Sequence, residues 1–244
     1  MIQLTTACVS SVDEARGNTG NLLFSGQILP ERNAGLNGAP SVKPEAGGTC
    51  VAAVFDGKGA TGRKAAYLAA GAVRSAAADI HSAEDLEALY AKIHSDITAA
   101  VAEDADALPM STAAVTAVVE GDRLSLANLG ACRAYLMRDR ALYRLSRASA
   151  EAATQALPPQ PGEGPALGED AAAPFTVKGT LLPGDQLLLC TGWLCIALDE
   201  REILQILLDS SAPSDALLRL AKRAGNGGGD IAAIVLRAEK ADEA

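Results

Sequence analysis

Between residues 112 and 145 the chain strings three or four apolar runs together through connections as short as Glu120-Gly121-Asp122 and Arg138-Asp139-Arg140. Connections of that length leave no room for a crossover, so the runs at 112–119, 123–128 and 132–137 are expected to lie side by side as antiparallel strands. Runs of the same strand character occur at 22–29, 49–55, 185–190 and 231–236. Two stretches between them have helical character: the Ala-rich residues 63–79, and 82–102, which opens on Ser82 with an acid three residues on at Asp85. A second helical pair is expected over 199–209 and 213–224, closed by Gly225 as a C′ glycine. Strands, a helix pair, a longer strand meander, a second helix pair and a last strand predict an α+β fold. Its layers would form a four-layer α/β/β/α sandwich, two antiparallel sheets face to face with a helix pair outside each.

The 244 residues, 49% of them apolar, suffice for one core, and a single domain is expected over 1–238 with a polar tail at 239–244. Residues 34–48 and 156–174 carry no periodicity and read as surface loops, the second being either a flap over a site or a plain connection. Thirty acidic against 21 basic residues give a net charge of −9, which opposes capture of nucleic acid or of an anionic membrane. With no apolar stretch of the ~20 residues a membrane helix needs and no secretory pattern at the start, a cytoplasmic location is expected. Five cysteines without a CxxC pair read as buried free thiols rather than a disulfide framework or zinc site. His81 and His94, the two histidines, fall in the helical stretch, and neither is placed in a site.

The most pointed local feature is Val54-Phe55-Asp56-Gly57-Lys58-Gly59, an apolar strand that ends in an acid, then glycines, then a helix. A carboxylate there suits a metal or a phosphate, because glycines let the backbone approach a ligand closely. The plainer alternative has Asp56 satisfying backbone donors at the start of the helix. Gly57 and Gly62 have P-loop spacing, but Arg63-Lys64 stands where a lysine and then a hydroxyl are required. No GxSxG, HExxH or EF-hand spacing is present.

The strand order and the word VFDGKGATGRKAA resemble the metal-dependent serine/threonine protein phosphatases of the PPM type, whose bacterial members carry an AVFDGMGG-like segment before a helix. Further similar stretches follow in the expected order. LANLGACRAYLMRDRALYRLS (126–146) looks like ANVGDSRAYLxRDGxLxxLT, and PGDQLLLCTGWLCIALDEREI (183–203) looks like GDxLLLCSDGLxDxLxxxEI. GGGDIAAIVL (227–236) looks like GxxDNITVIVV, and EARGNTGNLLFSGQILPERN (14–33) looks like the family's first motif. The resemblance implies two Mn²⁺ or Mg²⁺ ions on aspartates of the first, second, penultimate and last motifs, with a metal-bridging water as nucleophile.

The acids depart from that pattern. The aspartate of the first motif has no counterpart where Thr19-Gly20 runs into Asn21, and the penultimate one has become Gly192, followed by Trp193, which either fills part of the site or lies aside. The last pair falls on Gly229-Asp230, one place late, so that Asp230 serves as a ligand only if the loop shifts, and two further acids are replaced by Ala131 and Ala148. What the resemblance leaves besides is Asp56, the Gly57 carbonyl, and Arg16 at the place of the arginine that grips substrate phosphate. A surface arginine with no such role is the alternative for Arg16.

At most one weakly held Mn²⁺ or Mg²⁺ on Asp56 is therefore expected, and no two-metal centre. The resemblance then implies a degenerate, catalytically impaired or inactive domain, a pseudophosphatase that binds phosphoproteins or regulates a partner in serine/threonine kinase signalling. The rival reading is a divergent Mn²⁺-dependent serine/threonine phosphatase that recruits Asp230, Asp13 or Glu14 as substitute ligands.

Overall fold

The computed structural model describes residues 2–11, 22–25, 49–59, 61–103, 110–147, 165–169, 173–225 and 231–241. Ten strands among them form two sheets: β1 (Ile2–Ser11), β2 (Leu22–Ser25), β3 (Thr49–Lys58), β4 (Ser111–Glu120), β5 (Arg123–Leu129), β6 (Arg133–Arg138), β7 (Ala141–Arg144), β8 (Phe175–Thr180), β9 (Gln186–Cys190) and β10 (Ile231–Lys240). The helices are α1 (Gly62–Ala76), α2 (Ala83–Glu103), α3 (Gly192–Ala197), α4 (Glu200–Asp209) and α5 (Pro213–Ala224). One sheet runs β1-β10-β9-β6-β7 and the other β2-β3-β4-β5-β8. Every neighbouring pair is antiparallel.

The period of two along each strand divides the core into three layers. Cys50, Ala52 and Val54 of β3 meet Ala232, Ile234 and Leu236 of β10 between the sheets. Val51, Ala53 and Phe55 turn the other way, onto α1 and α2. Ala233 and Val235 of β10 turn outward onto α3, α4 and α5. Central strands buried on both faces read as the nearly continuous apolar runs of the sequence. Tyr90 fastens α2 to its sheet, its hydroxyl donating to the Ala127 carbonyl (3.1 Å) and lying 3.1 Å from Thr116 Oγ1.

Two of the five described helices, α2 and α4, start on reciprocal capping boxes. Ser82 Oγ accepts from Asp85 N (3.1 Å) while Asp85 Oδ2 accepts from Ser82 N (2.9 Å), a reciprocal box at the head of α2. Asp199 and Glu202 repeat it on α4. Gly225 ends α5 at φ −69°, in right-handed conformation, so the expected left-handed cap is not formed there. The β6–β7 turn runs through Asp139 (φ 51°) and Arg140 (φ 63°), the mirror-image turn that hairpins prefer. With no glycine at either position, that turn costs about 1–2 kcal/mol per residue.

Several elements lie outside the sequence expectation. The strands β1 and β8 and the short α3 carry weak patterns: β1 interleaves Thr, Ser and Ala with its apolar residues, and β8 is a half-exposed edge. The strand β10 continues to Lys240, opposite Ile2, two residues into the expected tail. Of the 156–174 loop, residues 165–169 and 173–174 are described, and its middle is pinned at Ala166 and Leu167 while Glu169 and Ala173 are exposed. Leu167 is buried, and its backbone exchanges both hydrogen bonds with Thr112 at 3.0 Å. His94 on α2 accepts from Gly168 N (3.3 Å), and His81 precedes that helix, 3.2 Å from Glu120. No helix among the described residues is long and apolar enough to cross a membrane.

Candidate functional site

Asp56 continues the row of Cys50, Ala52 and Val54, so the alternation of β3 places its carboxylate at the end of the inter-sheet space. It is half-buried, opposite Ala113 of β4. The N-cap of the following helix is Thr61, not Asp56. Lys58 comes next on the same row, with its ammonium 3.9 Å from Glu169 Oε1. Glu169 is itself held by Ser111 Oγ (2.8 Å) and Ala166 N (3.1 Å). The buried thiol of Cys132, in the inter-sheet core, feels these charges. Burial pushes its pKa well up, Asp56 pushes it further, and Arg133 and Lys58 pull it back. One carboxylate and two cations thus act on one point.

The β5–β6 connection facing Asp56 is tied down by polar side chains. Asn128 Nδ2 donates to the Cys132 carbonyl (3.0 Å) and its Oδ1 accepts from Arg147 N (3.0 Å). Arg133 Nη1 lies within hydrogen-bond reach of three carbonyls, of Gly130 (3.2 Å), Ala131 (2.8 Å) and Cys132 (3.2 Å). Sequence reading did not single out Arg133, although it sits in the ACRAYL stretch that carries the resemblance.

Ala131 and Gly192, two positions where the resemblance expects aspartate, touch one another. A Cβ on Gly192 would stand 3.1 Å from both the Cβ and the carbonyl oxygen of Ala131, so any side chain there forces the Ala131 turn to give. Thr191 fixes the start of α3, its Oγ1 accepting from Ala232 N (3.2 Å). Trp193 does not fill the inter-sheet space. Its indole packs with the apolar cluster of β1, β9 and β10 against α3, α4 and α5, and Nε1 is buried without a partner among the described residues. Gly57 and Gly62 lie back to back, the Cβ position of Gly57 being 2.3 Å from the Gly62 carbonyl oxygen. Their P-loop-like spacing serves a close strand–helix junction.

Arg16, Asn21, Ala148, Gly229 and Asp230 lie outside the described residues, as do Asp13 and Glu14. Of the positions that are described, 56, 131 and 192 supply one carboxylate, one methyl and one hydrogen. No group of three or more His, Cys, Asp or Glu that would hold a metal occurs among the described residues. Two divalent ions need several anionic oxygens, and the described positions of the resemblance supply one carboxylate, Asp56. Beside Ala131 and Gly192, on the helix side, a cavity of about 230 Å³ is lined by Arg133, Tyr135, Arg144 and Cys195 and by Asp199 and Glu200 of the α4 start.

A family model described as protein phosphatase 2C matches residues 39–192. Among solved structures, the serine/threonine phosphatase PstP/Ppp of Mycobacterium tuberculosis is 22% identical, with a TM-score of 0.76 over 97% of this chain and 99% of that one. The catalytic domain of PstP in complex with two manganese ions is 22% identical, with a TM-score of 0.75 over 98% of this chain and 100% of that one. The S. agalactiae serine/threonine phosphatase is 17% identical, with a TM-score of 0.78 over 96% and 99%. At these identities the structures establish the shared architecture alone. No curated protein matches the sequence.

Proposed function

The chain belongs to the protein phosphatase 2C family, and from that premise we propose that it is a pseudophosphatase: a domain that keeps the fold, does not hydrolyse phosphomonoesters, and serves as a binding or regulatory protein for phosphoproteins of a kinase signalling system. The observation that carries the reading is the contact between Ala131 and Gly192. The place of one metal-holding carboxylate, Gly192, and that of a further acid of the family, Ala131, now lie against each other without a carboxylate, leaving Asp56 as the acid among the described positions of the resemblance.

Lys58 adds to this. It projects from the same face of β3 as Asp56, and a neighbouring ammonium disfavours a second dication at the same place. A single ion on Asp56 and the Gly57 carbonyl would be held weakly and stay largely hydrated. Phosphate recognition, on this reading, falls to Arg16, whose planar fork donates two hydrogen bonds.

Turnover of p-nitrophenyl phosphate with millimolar Mn²⁺ tests the proposal. The rate is expected to equal that of Mn²⁺ in buffer without protein. A rate well above that blank, abolished by Asp56→Ala, would make the protein a divergent phosphatase.

A further inference from the structure

Cys190 closes β9 and Cys195 lies in α3, and the turn between them brings the two side chains back together. Their sulfurs are 3.7 Å apart, close to van der Waals contact. The Tyr135 hydroxyl donates to Cys195 Sγ at 3.5 Å. Cys190 is fully buried, whereas Cys195 is partly exposed and lines the 230 Å³ cavity with Arg133 and Tyr135. One sulfur is open to a small reagent, and the second waits behind it.

We propose that Cys190 and Cys195 are a peroxide-oxidisable thiol pair, with Cys195 as the sulfur that reacts first and Cys190 as the one that resolves it. In the first step the Cys195 sulfur attacks one oxygen of hydrogen peroxide. An S–O bond forms, the O–O bond breaks, and the departing hydroxide leaves as water with the thiol proton. In the second step the Cys190 sulfur attacks the sulfenic sulfur. The S–S bond forms, the S–O bond breaks, and the hydroxyl leaves as a second water with the Cys190 proton. Two thiols lose two hydrogens, and one peroxide becomes two waters.

The other three cysteines are poor competitors. Burial raises the thiols of Cys8 and Cys50 to about 11, and Cys132 is shifted upward as well, so little thiolate is available at any of them. At Cys195 the contact with Cys190 and the Tyr135 hydroxyl lower the thiol's pKa against the opposing effect of burial, while the same contact and burial push Cys190 well up, so that Cys195 is the sulfur that reacts first. The product ties the end of β9 to α3 and so fixes the turn that carries Gly192. Nothing in this depends on the absence of phosphatase turnover.

The test uses the full chain, reduced, freed of reductant, treated with hydrogen peroxide, then unfolded and alkylated with N-ethylmaleimide. No Lys or Arg separates the two cysteines, so trypsin leaves both on the peptide 179–201. That peptide is expected to carry no maleimide and to weigh about two daltons less than its reduced form, with dithiothreitol restoring both thiols. The Cys132→Ser variant should give the same peptide. In Cys190→Ser, Cys195 should remain as a sulfenic acid that dimedone captures. Full alkylation of 179–201 after peroxide treatment, or a cross-link from Cys195 to Cys132, would overturn the proposal, even if the Cys190→Ser variant does not fold.

Discussion

Gly57→Ala is expected to destabilise the protein by about 3 kcal/mol, the top of the usual range for forcing atoms into filled space. The added methyl would stand 2.3 Å from the carbonyl oxygen of Gly62 and 2.4 Å from its carbon. Both are backbone atoms, so no side-chain rotation relieves the overlap. Gly62→Ala meets the mirror of the same contact, 2.4 Å from the Gly57 carbonyl carbon, and should cost a similar amount. Gly71→Ala reverses the sign. That glycine lies within α1 with nothing within 4 Å of its Cβ position, so alanine should stabilise by about 0.5–1 kcal/mol. Urea unfolding of the three variants checks all of this, and a Gly57→Ala protein as stable as wild type would mean that β3 and α1 do not meet as closely as described.

Asp185→Ala should cost about 3 kcal/mol, and Arg138→Ala more, within the 3–5 kcal/mol that follows from breaking a buried ion pair. Asp185 is 2% exposed. Its Oδ1 accepts from Arg138 Nε (2.9 Å), and its Oδ2 accepts from Arg138 Nη2 (2.5 Å) and Leu182 N (2.7 Å). Loss of the carboxylate strands an amide and a guanidinium, but the arginine side chain is 29% exposed and water reaches part of its charge. Loss of the arginine instead strands a buried anion, which has no such recourse. Denaturant midpoints at unchanged m-value read both costs. A loss below about 1 kcal/mol for either would reduce the pair to an ordinary surface contact.

Much of the architecture was legible because it rests on local signals. The short turns after Val119 and Met137 forced antiparallel neighbours, and the Ser82/Asp85 box marked where α2 begins. The strand β1 was not legible because Thr5, Thr6 and the serines Ser10 and Ser11 interrupt its apolar run, and the edge strand β8 because its exposed half carries polar residues that blur the period. The helix α3 was hidden by its length, and the pinning of Leu167 depends on a partner, Thr112, 55 residues away in sequence. At the site, the losses at positions 131 and 192 could be read from the motifs. Their contact could not, nor could the turn of Trp193 toward the helices. The Cys190–Cys195 pair escaped for a related reason: its spacing matches no motif, and only the fold of the β9–α3 turn brings the sulfurs together.

Isothermal titration of the protein with Mn²⁺ bears most directly on the central claim, that this chain no longer gathers the oxygen donors for two divalent ions. The account predicts at most one site, with a dissociation constant on the order of millimolar or weaker, lost in Asp56→Ala. Two ions bound at micromolar levels, on the order of 8 kcal/mol each, would contradict it.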